Sequence, residues 1–549
     1  MTAVLRNVER KCGQKGGSVV AKRLRTWTND GILDGLLVGF TQSVSTWIGA
    51  ILLTLQGTSA SQPLRIRTLQ PRDVTLSGVQ ATTASARVLL VAAFTAEMAL
   101  VGLGLNGDLH GNVFLLELLA LVPFLISLPA LVWARISSKT ALMLIIGVGI
   151  ALQCLAVSAP PTSSDDFNRY VWDAKVQLAG IDPYRFAPDS ADLAKLRERP
   201  LFYPGTDCAW PLGGGVCSKV NRPAVHTIYP PIAEGVFIAA RLASGEASDG
   251  ARPLQVLAAL SAIGVSLLLA RQASRNRMPA WTVALWAWCP VTVFELGNNA
   301  HIDGVAVLLC VAAVVSARAG KSSWAGGLVG AAIATKLYPA VLLPALLGRK
   351  GAVAGNGWRV AAAAIGVVVV SYLPHVLAVG LDVLGYLPGY LKDEDYTNGG
   401  RFLLLNAVLP RGILTVAAAL ILLAGAALAA RGSDPRRPER QAVWLVGLTL
   451  LISTPSYSWY ALLLLALVSM SGRIEWLVLC IAPTIGMLGA NHVSHPTLLR
   501  TCCYGLGLLA ALVGTGLRQR RKVSNALHGV VATGASPPVE AGSVTNHPQ

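Results

Sequence analysis

TALMLIIGVGIALQCLAVSAPPTSSDDFNRYVWDAKVQLAGIDPYRF, residues 140–186, joins two unlike kinds of chain. Up to Val157 it carries no charge and approaches the roughly 20 residues a helix needs to span a bilayer. Directly afterwards come two adjacent carboxylates, an arginine, several aromatic rings and a Gly-x-x-Pro-Tyr turn. Apolar runs like the first half recur at 88–105, 113–132, 360–373 and 498–517. The chain is 53% apolar and only 13% charged, with a mean hydropathy of +0.56, whereas soluble domains carry about 25% charged residues. The pattern predicts an all-α polytopic membrane protein of roughly 12–14 transmembrane helices, some short or re-entrant, with juxtamembrane helices and loops on the outer face.

The net charge of +17 does not point to nucleic acid, because no helix-turn-helix or aromatic-basic module is visible. Lysine and arginine collect in cytoplasmic loops of membrane proteins. Here they cluster at 135–139, 271–277, 318–321, 349–359, 431–440 and from 518 onward. The intervening loops at 106–112, 159–228, 297–303, 379–412, 453–457 and 491–496 are poor in positive charge. The two sets alternate if both termini are cytoplasmic. The acidic cluster then lies outside a multi-pass cell-membrane protein.

Three segments need separate treatment. YPPIAEGVFIAARL, 229–242, is apolar but short and reads as an outer-face juxtamembrane helix opened by Pro230 and Pro231. The run 324–347 is flanked by basic residues and interrupted at Lys336-Leu-Tyr-Pro339, which suits a hairpin of two short helices. A lysine at the centre of a membrane helix costs about 2.5–3.5 kcal/mol, so Lys336 either faces a cavity or an anion, or snorkels to the headgroups. Residues 31–55 read as an interfacial helix or an additional weak span. Seven of the nine cysteines lie in apolar segments or the N-terminal tail; Cys208 and Cys217 share one polar outer loop, where an oxidising compartment favours a disulfide.

A helix starting near Ser164, capped by Ser164 with Asp165, places Asp166, Arg169, Tyr170 and Asp173 on one exposed face. Trp172 and Val176 then turn toward lipid or the membrane domain. Other outer loops add GNNAHID with Asn299, His301 and Asp303, NAVHTIYPP with His226 and Tyr229, a 389–401 loop with Tyr396 and Arg401, and PSYSWY with Trp459. Asn, Asp and aromatic rings suit sugars, whereas Lys, Arg and His suit a phosphate. A transporter would bury such residues at mid-membrane between broken helices. Their collection at one face favours surface chemistry on a lipid-linked substrate, with a lipid-linked sugar flippase as the competing class. There is no GxxxxGK[ST], HExxH or paired CxxC motif, so neither a metal nor another cofactor is expected.

Asp166-Phe-Asn-Arg-Tyr170 followed by Gly180-Ile-Asp-Pro-Tyr184 resembles the D-[FL]-x-x-Y…G-x-x-P-Y signature of the GT-C superfamily of integral-membrane glycosyltransferases. Thr227–Pro231, Gly297–Asp303, Lys336–Pro339 and Gly389–Arg401 resemble further blocks of the actinobacterial family 87 and polyprenol-phosphate-mannose-dependent mannosyltransferases. That resemblance implies a GT-C fold and a polyprenyl-phosphate sugar donor. It also implies a glycan or glycolipid acceptor in the outer leaflet and inversion at the anomeric carbon. Mannose is the implied sugar, with arabinofuranose or another hexose the alternative. Asp166 would be the general base, with Asp165 the rival carboxylate. Lys336, Arg401, His301 and Arg169 are the expected phosphate ligands. Tyr170, Asp173, Tyr184, His226, Tyr229, Asn299, Asp303, Tyr396 and Trp459 are the expected sugar and acceptor contacts. The chain divides into a basic cytoplasmic N-terminal region (1–87), a transmembrane catalytic domain (88–517) and a disordered cytoplasmic tail (518–549). Within the catalytic domain, 159–252 and 379–412 form the two large outer loops.

Overall fold

The computed structural model describes residues 76–106, 113–244, 250–348, 356–490 and 493–533; the 31–55 segment and the end of the tail lie outside them. Most of the described residues are helical. Among the described residues, seven helices are long and apolar enough to cross a membrane: Thr83–Leu105, Leu115–Trp133, Ser138–Ser158, Ala251–Arg275, Gly357–Asp393, Arg411–Gly432 and Pro496–Arg521. A bent pair, Pro290–Asn298 with Asp303–Arg318, makes an eighth. The remaining apolar sequence is cut into short helices such as Trp281–Ala287, Ser322–Ile333, Glu439–Ser453 and Leu462–Ser471. Gly357–Val379 turns Val369, Val370, Leu373 and Leu377 outward, as a lipid-facing helix should. The last helix runs on to Thr533, so the tail expected to be disordered from 518 begins as helix. Its Arg518-Gln-Arg-Arg-Lys522 run consists of good helix formers.

Three parts of this frame position the site. We call Ser138–Ser158 α1, Asp166–Leu178 α2, Pro231–Leu242 α3, Ala251–Arg275 α4 and Asp303–Arg318 α5. Ahead of α5 the chain forms a wide π-helical turn, Val293–Asn298, and then bends by 118°. Gly297 makes the approach possible, because a Cβ there would lie 2.7 Å from Cβ of Ala156 on α1. At the break, Asn298 Oδ1 accepts from the Thr162 amide at 3.0 Å, and its Nδ2 donates to the Pro160 carbonyl at 2.9 Å. Asn299 Nδ2 donates to Ser163 Oγ at 2.7 Å, and Gln255 of α4 donates to the Ala159 and Asn298 carbonyls. Side-chain amides thus replace the helical hydrogen bonds lost at the break, which a membrane interior requires.

The second part is the packing of α2 on α3. Tyr170 stacks on Phe237 with ring centroids 4.3 Å apart and meets Tyr229 edge-on at 4.9 Å. The short helix expected within 229–242 is present, with Pro231 in its first turn. Its Ile232 amide donates to the Ala334 carbonyl at 2.8 Å, where the 324–347 run breaks before Lys336.

The third part is the polar loop 187–225. Trp172 and Val176 of α2 do not face lipid; they pack with Leu193, Leu201, Phe202 and Val220 of this loop. The loop folds back as a small antiparallel sheet, β1 Phe202–Pro204, β2 Trp210–Gly213 and β3 Val216–Ser218, in the order β1-β3-β2. The expected Cys208–Cys217 disulfide is formed and ties β3 to the strand connection.

Candidate active site

At the end of α2 the three parts enclose a cavity of about 890 Å³. Ser163, Ser164, Asp165 and Asp166 line one side. Arg222, His226 and Lys336 supply cationic or titratable groups, and Tyr386, Tyr390, Tyr396, Tyr457, Trp459 and Tyr460 form an aromatic wall opposite. Asp166 keeps 21% of its side chain exposed. Its Oδ1 accepts from Asn221 Nδ2 at 2.8 Å, and its Oδ2 lies 3.4 Å from the Tyr229 hydroxyl and 3.8 Å from His301 Nε2. Two donors and one imidazole therefore fix the carboxylate without covering it.

Asp165 is held differently. It occupies the N-cap position of α2 but makes no capping bond; the Asp166 amide donates instead to Ser164 Oγ at 3.3 Å. Asp165 Oδ1 accepts from the same Asn221 amide at 3.0 Å. Although Asp165 is exposed at the surface, the protein around its carboxyl desolvates it and raises it above the usual carboxylate range, with the Asn221 bond opposing the rise and the Asp166 charge adding to it. Asp165 therefore takes up a proton more readily than an ordinary aspartate.

His301 is fully buried rather than available to a phosphate. Its Nδ1 is 3.0 Å from Glu295 Oε2, its Nε2 is 3.1 Å from Ser164 Oγ, and its ring lies 4.1 Å from Trp459. Glu295 in turn accepts from Ser458 Oγ and Asn299 Nδ2. The imidazole is locked between a buried carboxylate and the floor of the cavity, so it orients that floor.

Several other expected contacts are also supporting groups. Arg169 pairs with Asp173 at 3.1 Å and donates to the Val225 carbonyl. Arg169, Tyr170 and Asp173 form a buried face, not an exposed one, because α3 and the polar loop close over them. Burial raises the Asp173 carboxyl despite the opposing Arg169 charge. Tyr184 is buried with its hydroxyl donating to the Tyr229 carbonyl at 2.7 Å. Asn299 and Asp303 are buried behind the floor. Lys336 reaches the cavity but is paired to Asp303 at 2.8 Å. Arg401 does not line the cavity; it pairs with Glu394 at 2.8 Å and donates to Ser456. Asp166, Asp165, His226, Tyr229, Tyr396, Trp459, Lys336 and Arg169 are the expected residues that line it.

Sequence reasoning missed Asn221, Arg222, Glu295 and Tyr386. Arg222 lines the cavity with its guanidinium 5.6 Å from the Tyr386 ring centre. Among the described residues it has no carboxylate within ion-pair distance. Its backbone φ of +46° lies in the left-handed region, a cost that proteins accept mainly at functional positions. Tyr386 enters because Gly385, at φ +51°, passes against the Thr227 carbonyl where a Cβ would collide. Only Glu295 left a trace in the sequence, as an acid inside an apolar run. Among the described residues no group of three or more His, Cys, Asp and Glu side chains could hold a metal ion.

Residues 227–454 match the model of glycosyltransferase family 87, while no curated protein and no solved structure matches the chain. The matched stretch contains Tyr229, Glu295, His301 and Lys336 and begins after Asp165, Asp166 and Arg222. It supports a glycosyltransferase housed in a helical, membrane-embedded chain.

Proposed function

We propose that the protein transfers a sugar, mannose by resemblance, from a polyprenyl-phosphate donor to a hydroxyl of a cell-envelope glycan or glycolipid on the outer side of the membrane, with inversion. The observation that carries this reading is a partly exposed carboxylate, Asp166, in the same cavity as Arg222, which among the described residues has no carboxylate within ion-pair distance. Asp166 takes the proton of the acceptor hydroxyl as that oxygen bonds to the anomeric carbon. General-base help of this kind contributes about 10²–10⁴-fold. The bond from the same carbon to the phosphate oxygen breaks on the opposite face. The lipid phosphate departs with an added negative charge, which Arg222 and Lys336 stabilise. His301, held by Glu295, keeps Asp166 and Ser164 in place, and the tyrosine and tryptophan wall receives sugar faces. Nothing in this scheme requires a metal.

The test is incubation of the purified protein with polyprenyl-phosphate mannose, glucose or arabinofuranose and with lipid-linked glycan acceptors, read by mass spectrometry. A glycosylated acceptor and free polyprenyl phosphate are expected. Movement of intact donor across proteoliposomes without any product would replace the transferase with a flippase.

A further inference from the structure

Beside the main cavity lies a second, more open one of about 530 Å³. Four residues, Trp210, Arg222, Val225 and Tyr386, line both, so the two spaces are neighbours across a single partition. Residues that belong only to the second space include Asp189, Leu212, Ala224 and Asp393. Trp210, Pro211 and Leu212 of the β2 strand line it, in a sheet closed by the Cys208–Cys217 disulfide. Asp189 and Asp393 are exposed, and Asp393 accepts from the Tyr386 hydroxyl. An indole, a tyrosine ring and two carboxylates around an open, partly apolar hollow are the groups that hold a sugar ring: faces for its C–H surface, acceptors for its hydroxyls. A lipid tail would not select the carboxylates, and the cation that lines the hollow, Arg222, sits on the partition shared with the main cavity.

We infer that this second cavity binds the sugar units of the acceptor that precede the reacting one, so that the natural acceptor is an oligosaccharide chain. The inference rests on the glycosyltransferase reading. In it the terminal sugar reaches past Trp210 and Arg222 toward Asp166, while one or two earlier units occupy the hollow. The disulfide-closed sheet then serves to hold Trp210 on the partition between the two spaces.

Octyl mannoside, dimannoside and trimannoside test it, both as acceptors with polyprenyl-phosphate mannose and as ligands in tryptophan-fluorescence titrations without donor. Wild type should show at least about tenfold higher kcat/KM, and tighter binding, for the two longer acceptors. That corresponds to about 1.4 kcal/mol. Ala224→Trp, which fills the hollow, and Asp189→Ala should erase the length advantage and leave turnover of octyl mannoside near wild type. Equal kcat/KM and equal binding across the three lengths would overturn the second site while leaving transfer itself standing. Length-dependent binding that Ala224→Trp abolishes, with no transfer to any acceptor, would support the site and remove the transferase reading. A length advantage that survives both variants would also overturn it.

Discussion

SSDDFNRYVWD at 163–173 and LKDEDYTNGGR at 391–401 look alike as sequences, each a run of acids with a tyrosine and an arginine. The structure treats them in opposite ways. In the first, Arg169 and Asp173 close on each other and Asp166 is left half open on the cavity. In the second, Glu394 closes on Arg401 behind the aromatic wall, and both are buried. Of the second run, Tyr396 reaches the cavity with the ring that Arg401 sits over at 5.6 Å. Composition locates polar residues near a site, but burial decides which charge is left to react. A fully paired charge costs much to expose or unpair, and so it holds structure.

That contrast predicts a large structural effect in the second region. Glu394→Gln leaves the Arg401 charge buried without its carboxylate and should destabilise the detergent-solubilised protein by about 3–5 kcal/mol. Lys336→Met should behave similarly because it strands Asp303, and thermal unfolding and folded yield would register both. If either variant unfolds like wild type, these pairs are not what separates the two regions.

Around the open carboxylate the effects should fall on turnover. Arg222→Gln removes one charge from the cavity without breaking an ion pair. A charge-assisted hydrogen bond is worth about 1.5–3 kcal/mol, so kcat/KM for the donor should fall by roughly 10- to 100-fold with unfolding unchanged. Unchanged kcat/KM would move the phosphate to Lys336 alone. Next in size is the disulfide. Cys208→Ser with Cys217→Ser releases a short loop, and loop-closure entropy sets the loss at about 2–3 kcal/mol within the polar loop. Enhanced proteolysis between Pro204 and Ser218 would report it, ahead of any change in the membrane helices.

The smallest effect belongs to Asp165. Its carboxyl is raised above its unfolded value, so it favours folding below the unfolded pKa and that contribution is lost as pH rises through the folded pKa. Asp165→Asn should therefore be neutral or mildly stabilising at pH 8 relative to wild type, with the difference shrinking toward pH 4. Activity should stay within a few-fold. A marked loss of stability at pH 8 would mean that the charged form of Asp165 supports the fold.

The helical membrane class, the short helix within 229–242 and the Cys208–Cys217 link were all legible, because each follows from local composition and charge. The face of Asp166, Arg169, Tyr170 and Asp173 was placed at the right period, but Arg169, Tyr170 and Asp173 were given the wrong exposure. Helical spacing says which residues share a side; whether α3 and a folded loop cover that side depends on contacts with residues 50 or more positions away. Asn221, Arg222 and Tyr386 were illegible for the same reason. They owe their place to a sheet and to a glycine crossing Thr227, neither of which has a periodic signal. The breaks at Gly297–Asp303 and Lys336–Pro339 were legible as well, because polar residues and a proline interrupt the apolar runs there.

Catalysis as described turns on Asp166 as the base. Asp166→Asn keeps its size and its bond from Asn221 but cannot take up a proton at neutral pH. The measurement is single-turnover transfer from polyprenyl-phosphate mannose, alongside donor binding, for this variant and for Asp165→Asn. Transfer should fall by about 10²-fold or more in Asp166→Asn with donor affinity within a few-fold of wild type, while Asp165→Asn remains active. An active Asp166→Asn beside an inactive Asp165→Asn would contradict the assignment and move the base one residue back. Activity in both would remove the carboxylate pair from the chemistry altogether.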